Sequence, residues 1–218
     1  ANTNWTQDGT FYVNSGQWYF EVYLEAIGTG NTMIGLVGEN FNSNTYPYAS
    51  GEPTYGYLTG GNYYEGSSSS SYGASYTTGD IIGVALDCDN GTVQFYKNNT
   101  GQGSKSGTNL TDRTVSPMIG GSHNGSTMTA VANFGQDPTF AGNKTGAATS
   151  EFFYTPPTGF SALSTGNLPT PTIAKPSEHF DTLTYSGSGA KTFDNGTTTM
   201  QPDLVWVKAR GNAYDHEL

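Results

Sequence analysis

Apolar and polar positions alternate most cleanly between Gly79 and Lys97, GDIIGVALDCDNGTVQFYK. Ile82, Val84 and Leu86 share one side, and Gly83, Ala85 and Asp87 the other, which is the period-two pattern of a strand. Val93 and Phe95 continue it, alternating with Thr92, Gln94 and Tyr96. Asp89-Asn90-Gly91 lies between the two runs. Asn-Gly tolerates the positive φ angles of a tight turn, so the segment predicts a β-hairpin. A second polar turn follows at Asn98-Asn99-Thr100-Gly101.

Other segments repeat the pattern. From Gly16 to Ile27, Trp18, Phe20, Val22 and Leu24 share one face and Tyr19, Glu21, Tyr23 and Glu25 the other. This predicts a strand with one buried and one partly wet face, as in a sandwich. Thr32–Gly38 (TMIGLVG) predicts a central strand, and Thr114–Gly120 and Met128–Gly135 two more. Ala1–Val13 reads as an edge segment. Asn40–Ser75 is rich in Gly, Ser, Asn and Tyr and reads as loop, apart from a short strand at Tyr55-Gly56-Tyr57. Pro156-Pro157-Thr158-Gly159-Phe160 closes the unit. Gly166, Pro169, Pro171 and Pro176 then mark a linker. Beyond it, His179–Tyr185 and Asp203–Lys208 predict two strands of a second unit, too short for a core of its own. The expected organisation is a β-sandwich over residues 1–165, a linker over 166–177, and the start of an incomplete second β domain over 178–218. No segment carries a helical period, a heptad pattern or a fixed repeat.

Composition sharpens this reading. Only 34% of residues are hydrophobic and 12% charged, yet there are 30 Gly, 15 Tyr and 11 Phe. Aromatic and β-branched residues cluster in alternating runs, which argues for an all-β fold with long polar loops and against disorder. The net charge of −10, with 8 scattered Lys and Arg, excludes electrostatic binding to nucleic acid or anionic membranes. No apolar run approaches the ~18 residues of a membrane span. The chain opens on Ala1 without a signal peptide, and Asp215-His216-Glu217-Leu218 lacks the order of an ER-retention tail. It therefore reads as a piece of a longer protein. Cys88 is the only cysteine, so no intrachain disulfide forms. Its neighbours Asp87 and Asp89 raise a thiol pKa, which favours a small core residue over a nucleophile.

Catalytic and metal-binding patterns are missing. Glu21 and Glu25 share a strand face but stand ~13 Å apart, too far for glycoside hydrolysis. Asp87 and Asp89 flank a turn, where Asp is expected for local hydrogen bonding. His123, His179 and His216 are scattered without a metal-ligand neighbour. Asp87-Cys88-Asp89-Asn90-Gly91 lacks calcium-loop spacing, and no phosphate-cradling glycine motif occurs. Seven Asn-x-Ser/Thr triplets, at Asn4, Asn90, Asn98, Asn109, Asn124, Asn143 and Asn195, reflect composition. The chain is expected to be non-enzymatic, without metal or cofactor.

A family resemblance joins these segments. SGQWYFEV (15–22), IGLV (34–37), GDIIGVALD (79–87), GTVQFYKN (91–98) and NFGQ (133–136) follow the order and spacing of SPRY-domain motifs, and YTPPTGF (154–160) is similar to that domain's close. The resemblance covers most of residues 10–163. It implies an antiparallel concanavalin A-like sandwich whose end loops bind a partner. Pro176–Lys208, with His179-Phe180-Asp181 and QPDLVWVK (201–208), resembles a module of bacteriophage structural proteins. Together they imply a tail-fibre-like component on the virion surface. Its partners would be other virion proteins and a host-surface glycan or protein.

Tyr46, Tyr48, Tyr55, Tyr57, Tyr63, Tyr64, Tyr72 and Tyr76 are the candidate binding residues. Tyr rings give large contacts at low entropic cost and suit sugar faces, while Ser, Gly and Asn add adaptable hydrogen bonds. Avidity from a homo-oligomer, a trimer foremost, completes the expected mechanism. The alternatives are a surface-glycan depolymerase on the same scaffold and an intracellular SPRY adaptor that captures a peptide.

Overall fold

The computed structural model describes residues 5–49, 51–106, 110–111, 113–121, 127–168, 173, 175–186, 203–211 and 213. The chain divides into a unit over residues 1–168 and a second over 169–218.

The first unit is a sandwich of two antiparallel sheets. One sheet runs in the order β1 (Trp5–Asp8), β10 (Val115–Gly121), β3 (Thr32–Gly38), β4 (Thr54–Leu58), β5 (Asn62–Glu65) and β6 (Ser68–Ser71). The other runs β11 (Met128–Asn133), β2 (Gln17–Ile27), β7 (Ile81–Asp87), β8 (Thr92–Lys97) and β9 (Thr100–Ser106). The short β12 (Ser161–Ala162) adds in parallel to the start of β2.

The predicted hairpin is β7–β8. The Asp87 carboxylate closes its turn, accepting Asn90 N–H at 2.9 Å and Asn90 Nδ2–H at 2.8 Å. The β8–β9 turn is tighter. Asn98 (φ 47°) and Asn99 (φ 67°) are both left-handed, as a two-residue hairpin loop requires.

Alternation places the core. Trp18, Phe20, Val22 and Leu24 of β2 meet Ile34 and Leu36 of β3, Ile82, Val84 and Leu86 of β7, and Phe95 of β8 between the sheets. Fully burying one such side chain contributes roughly 1.5–3 kcal/mol.

The other face of β2 departs from the expected wet surface at its start, where Tyr19 and Glu21 are buried. Residues 134–163 return across this sheet and pack Phe152 and Ala162 on Tyr19 and Ala85. Gly83 leaves the space they need, because a Cβ there would collide with the Tyr19 hydroxyl. Tyr23 and Glu25 stay part-buried and exposed.

Within Asn40–Ser75 the expected strand at Tyr55-Gly56-Tyr57 is β4, and the expected loop after it is a second correction, because it holds β5 and β6. Tyr55 and Tyr57 point inward around Gly56, whose missing side chain makes room for Met33. The polar composition concealed a strand order that pairing with β3 imposes. β6 is an edge strand with all four serines exposed, so it has no apolar face to betray it. Residues 39–49 and 51–53 remain irregular, and Phe41 and Tyr48 cover the outer-face cluster of Met33, Val37, Leu58 and Met118.

In the second unit the expected strands are not formed among the described residues. Pro176–Glu178 makes a 3-10 turn, and 180–186 and 203–211 hold no strand. Phe180, Leu204 and Trp206 are largely exposed, and Val207 takes part in a single β-bridge rather than a strand.

Candidate interaction site

Strands β3 and β5 end, and β4, β6 and β10 begin, at the same end of the sandwich. The segments joining them converge there. Asn40 turns the chain out of β3 with a left-handed φ of 66°. Gly66 (φ 55°) turns β5 into β6, and its N–H donates to Thr54 O at 2.9 Å. A Cβ at Gly66 would approach the Glu52 carbonyl to 3.1 Å, so the two loops abut.

Between them lies an open cavity of about 470 Å³, lined by Glu39, Asn40, residues 51–55, 65–68 and Arg113. A neighbouring hollow of about 340 Å³ shares Glu39, Asn40 and Arg113 and adds Asn14 and Thr114. Glu52 is partly held, accepting Asn42 N–H at 3.0 Å. Burial raises the pKa of the Tyr55 phenol, the Arg113 guanidinium opposes this, and Glu65 adds to it. Thr54 is fully buried, and its Oγ1 has no hydrogen-bond partner. The site is a polar recess rimmed by turn segments.

Of the eight candidate tyrosines, only Tyr55 lines this recess. Tyr55, Tyr57, Tyr63 and Tyr76 are core residues. Tyr76 hydroxyl donates to Tyr57 O at 2.7 Å, and the Tyr57 and Tyr76 rings meet at 4.9 Å. Tyr57 hydroxyl is bound by Ala74 O, and Tyr72 hydroxyl by Gly103 O. Burial pushes the Tyr57 and Tyr72 phenols up to about 12. Tyr46, Tyr48 and Tyr64 are part-buried and stack in series on the outer face, at 5.0 and 4.9 Å. The loop that was to display eight rings therefore spends most of them on packing, four in the core and Tyr72 against it.

Other sequence candidates serve local structure. Burial opposes ionisation of Asp87, but hydrogen bonds from Asn90 and Gln17 prevail and lower its pKa. Burial, then Asp89 and Asp87, push the Cys88 thiol up to about 12, so it is neutral and unreactive. Asn90, Asn98 and Asn143 each donate a side-chain amide to a turn. His179 lies exposed in the second unit. His123, His216, Asn4, Asn109, Asn124 and Asn195 lie outside the described residues. Among the described residues no three His, Cys, Asp or Glu gather as metal ligands, and no helix is long and apolar enough to cross a membrane.

The cavity residues Glu39, Glu52, Glu65 and Arg113 escaped sequence reasoning. Their signal was faint: charges next to turn-forming Asn and Gly in a loop region of a chain with few charges.

Residues 17–137, more than half of the chain, match the family model of the SPRY domain. The chain belongs to the SPRY domain family. Human Ran-binding protein 9 is similar to the SPRY region, 33% identical over 128 residues, which are 56% of this chain and 17% of that protein. The Drosophila melanogaster Ran-binding proteins 9/10 homolog is 32% identical over 128 residues, 56% of this chain and 13% of its own. The chain thus spans a fifth or less of the curated relatives it matches. The crystal structure of the SPRY domain of human HERC1 shares the fold, with a TM-score of 0.50 and 19% identity over 61% of this chain and 83% of that one. Residues 175–218 match a domain of unknown function (DUF7483). These relatives correct the expected location. They are Ran-binding proteins of animals, which points away from a virion surface.

Proposed function

We propose that this SPRY sandwich is a non-catalytic protein-interaction module that captures an extended polypeptide segment in the recess between residues 39–53, 65–68 and 113–114. The observation that carries the reading is the recess itself. It is polar and sits where several inter-strand segments converge. Family membership supports it, as does similarity to proteins named for binding another protein. A non-catalytic role is supported by the placement of Glu21, Asp87 and Cys88, whose reactive atoms are engaged or shielded. Several copies joined as a homo-oligomer, a trimer first, multiply a weak single-site affinity, and sedimentation analysis checks this.

The finer expectation of a tail-fibre component gripping a host glycan gains nothing from the relatives, and half of its tyrosine platform lies in the core. No observation favours a depolymerase.

The test is to select linear peptides from a random library on the immobilised chain and map the winners by hydrogen exchange. Protection at 39–42, 51–54, 65–68 and 113–114 is expected. Winners that protect only the Tyr46–Tyr48–Tyr64 face, or glycan-array binding with no peptide selected, would sink the reading.

A further inference from the structure

We propose that the free edge of β6 is a strand-addition site for an extended polypeptide segment with one acidic side chain, set opposite Ser70. This surface touches the recess only at Ser68 and does not depend on it. Among the described residues the edge strands are β1 and β6 in one sheet and β11 and β9 in the other. An edge strand bares unpaired main-chain groups, and proteins guard such edges with charges, bulges or covering side chains. β1 ends on the charged Asp8. β11 has a register break at Thr129/Ala130, and Gln136 Nε2–H covers Ala132 O at 3.0 Å. β9 has a register break against β8, and the Tyr72 hydroxyl caps Gly103 O. β6 carries no charge, no proline and no register break.

Hydrogen-bond alternation fixes which groups of β6 are free. The Gly66 N–H donates to Thr54 O, so Gly66 and Tyr64 turn their main chain to β4, and Tyr63 and Glu65 turn theirs to β6. Their partners there, Ser70 and Ser68, face back to β5. The N–H and C=O groups of Ser69 and Ser71 therefore point to the open edge, where no described group pairs with them. An extended segment takes them up as the next strand of the sheet.

Lys105 gives the edge its chemical preference. Its ammonium donates to Ser70 Oγ at 3.2 Å and lies 5.5 and 5.4 Å from the Tyr63 and Tyr72 ring centroids. These contacts hold a cation beside the strand, and among the described residues it belongs to no ion pair. A residue added opposite Ser70 shares that face, so a carboxylate there meets Lys105. The net charge of −10 repels an acidic run, so one acid among neutral residues fits best. A second copy of this chain fits poorly, because two β6 strands paired about Ser70 would set two Lys105 groups on one face.

The test pans a random linear peptide library on the immobilised chain, with Ser69→Pro as the counter-target. Proline at Ser69 removes only an outward N–H, so the β5 pairing and the melting temperature should stay close to the parent's. Ser71→Pro blocks the other outward residue and repeats the test independently. Winners are expected to carry Asp or Glu at one fixed position and to slow amide exchange at Ser69 and Ser71. Each proline should weaken them by about tenfold or more. Lys105→Gln should weaken them by up to about fivefold, and panning on Lys105→Glu should replace the acid with Lys or Arg.

If both folded proline variants keep every winner, β6 adds no strand and the inference fails, whatever happens at the recess. Winners lost on proline but indifferent to Lys105→Gln would overturn the acidic preference. A parent dimer in sedimentation that Ser69→Pro dissolves would overturn the partner assignment in favour of a second copy. Protection at 39–42 and 113–114 reads the recess separately, so either proposal can fail alone.

Discussion

Glu21 Oε2 accepts the main-chain N–H of Phe153 at 2.9 Å, across 132 positions of sequence. Oε1 accepts the N–H of Tyr154 at 2.9 Å and the Tyr19 hydroxyl at 3.1 Å. One fully buried carboxylate thus ties the returning segment to the second sheet. Glu21→Ala would strand two part-buried N–H groups and should cost roughly 3 kcal/mol, read by urea denaturation. Glu21→Gln presents an amide donor to another donor and should cost about 1–3 kcal/mol. A variant as stable as the parent would show that the segment is held by its aromatic contacts alone.

The same residue gives stability a distinctive pH dependence. Burial raises the Glu21 pKa above 4.5, against the opposing hydrogen bonds from Tyr154, Phe153, Tyr19 and Asn133. A raised native pKa means that the group's contribution is complete below the ordinary value and lost as pH climbs through the native one. Asp80 and Asp87 run the other way. Burial opposes their lowered values, but hydrogen bonds prevail, so their contribution is present above 3.8 and lost as pH falls through the native value. Melting temperature against pH should therefore have a component that declines above 4.5 in the parent and vanishes in Glu21→Gln. Acid loss below 3.8 should persist in both. Identical profiles above 4.5 would refute the assignment.

If the tyrosine cluster is core, truncation must cost core energies. Tyr57 is 0% exposed, and Tyr57→Ala should lose about 3–5 kcal/mol. Tyr46 is only part-buried, and Tyr46→Ala should lose about 1 kcal/mol or less. Chemical denaturation of the pair separates packing from display. Near-equal small losses would return the rings to the candidate ligand surface.

The β8–β9 turn offers a backbone test. Asn99 has a φ of 67°, where a β-branched residue is strongly disfavoured. Asn99→Val should cost roughly 1–2 kcal/mol, and Asn99→Gly close to nothing. Thermal melts of the two variants should differ accordingly, and equal melts would mean that the turn is not held in this form.

Cys88 is 1% exposed with its thiol pushed up to about 12. A chromogenic thiol reagent at neutral pH should react at the rate of unfolding, and at once in denaturant. Fast reaction in the native protein would place the side chain outside the core.

The core strands were legible from alternation, as in β8, or from short apolar runs, as in β3 and β7, which are buried along their whole length. β2, β3, β7, β8, β10 and β11 fall within a few residues of the predicted runs. β6 and β9 were not legible. Ser68–Ser71 and Thr100–Ser106 are polar on both faces, and their extension comes from hydrogen bonds to β5 and β8. The candidate site was invisible for a related reason. Glu52 and Glu65 stand 13 positions apart, and only the packing of one loop on the other brings them to one recess.

By itself, the sequence determined the all-β class, the central hairpin with its Asn-Gly turn, and the face of β2 that enters the core. Those features depend on side-chain periodicity and on residues that accept unusual backbone angles, and both are local. Only the tertiary structure decided that Tyr57, Tyr63 and Tyr76 are core rather than display, that Glu21 is a buried anchor rather than a surface charge, and that Arg113 shares a cavity with three glutamates. A residue's burial depends on what lies across from it, and in a sandwich that neighbour comes from another sheet or a loop far along the chain.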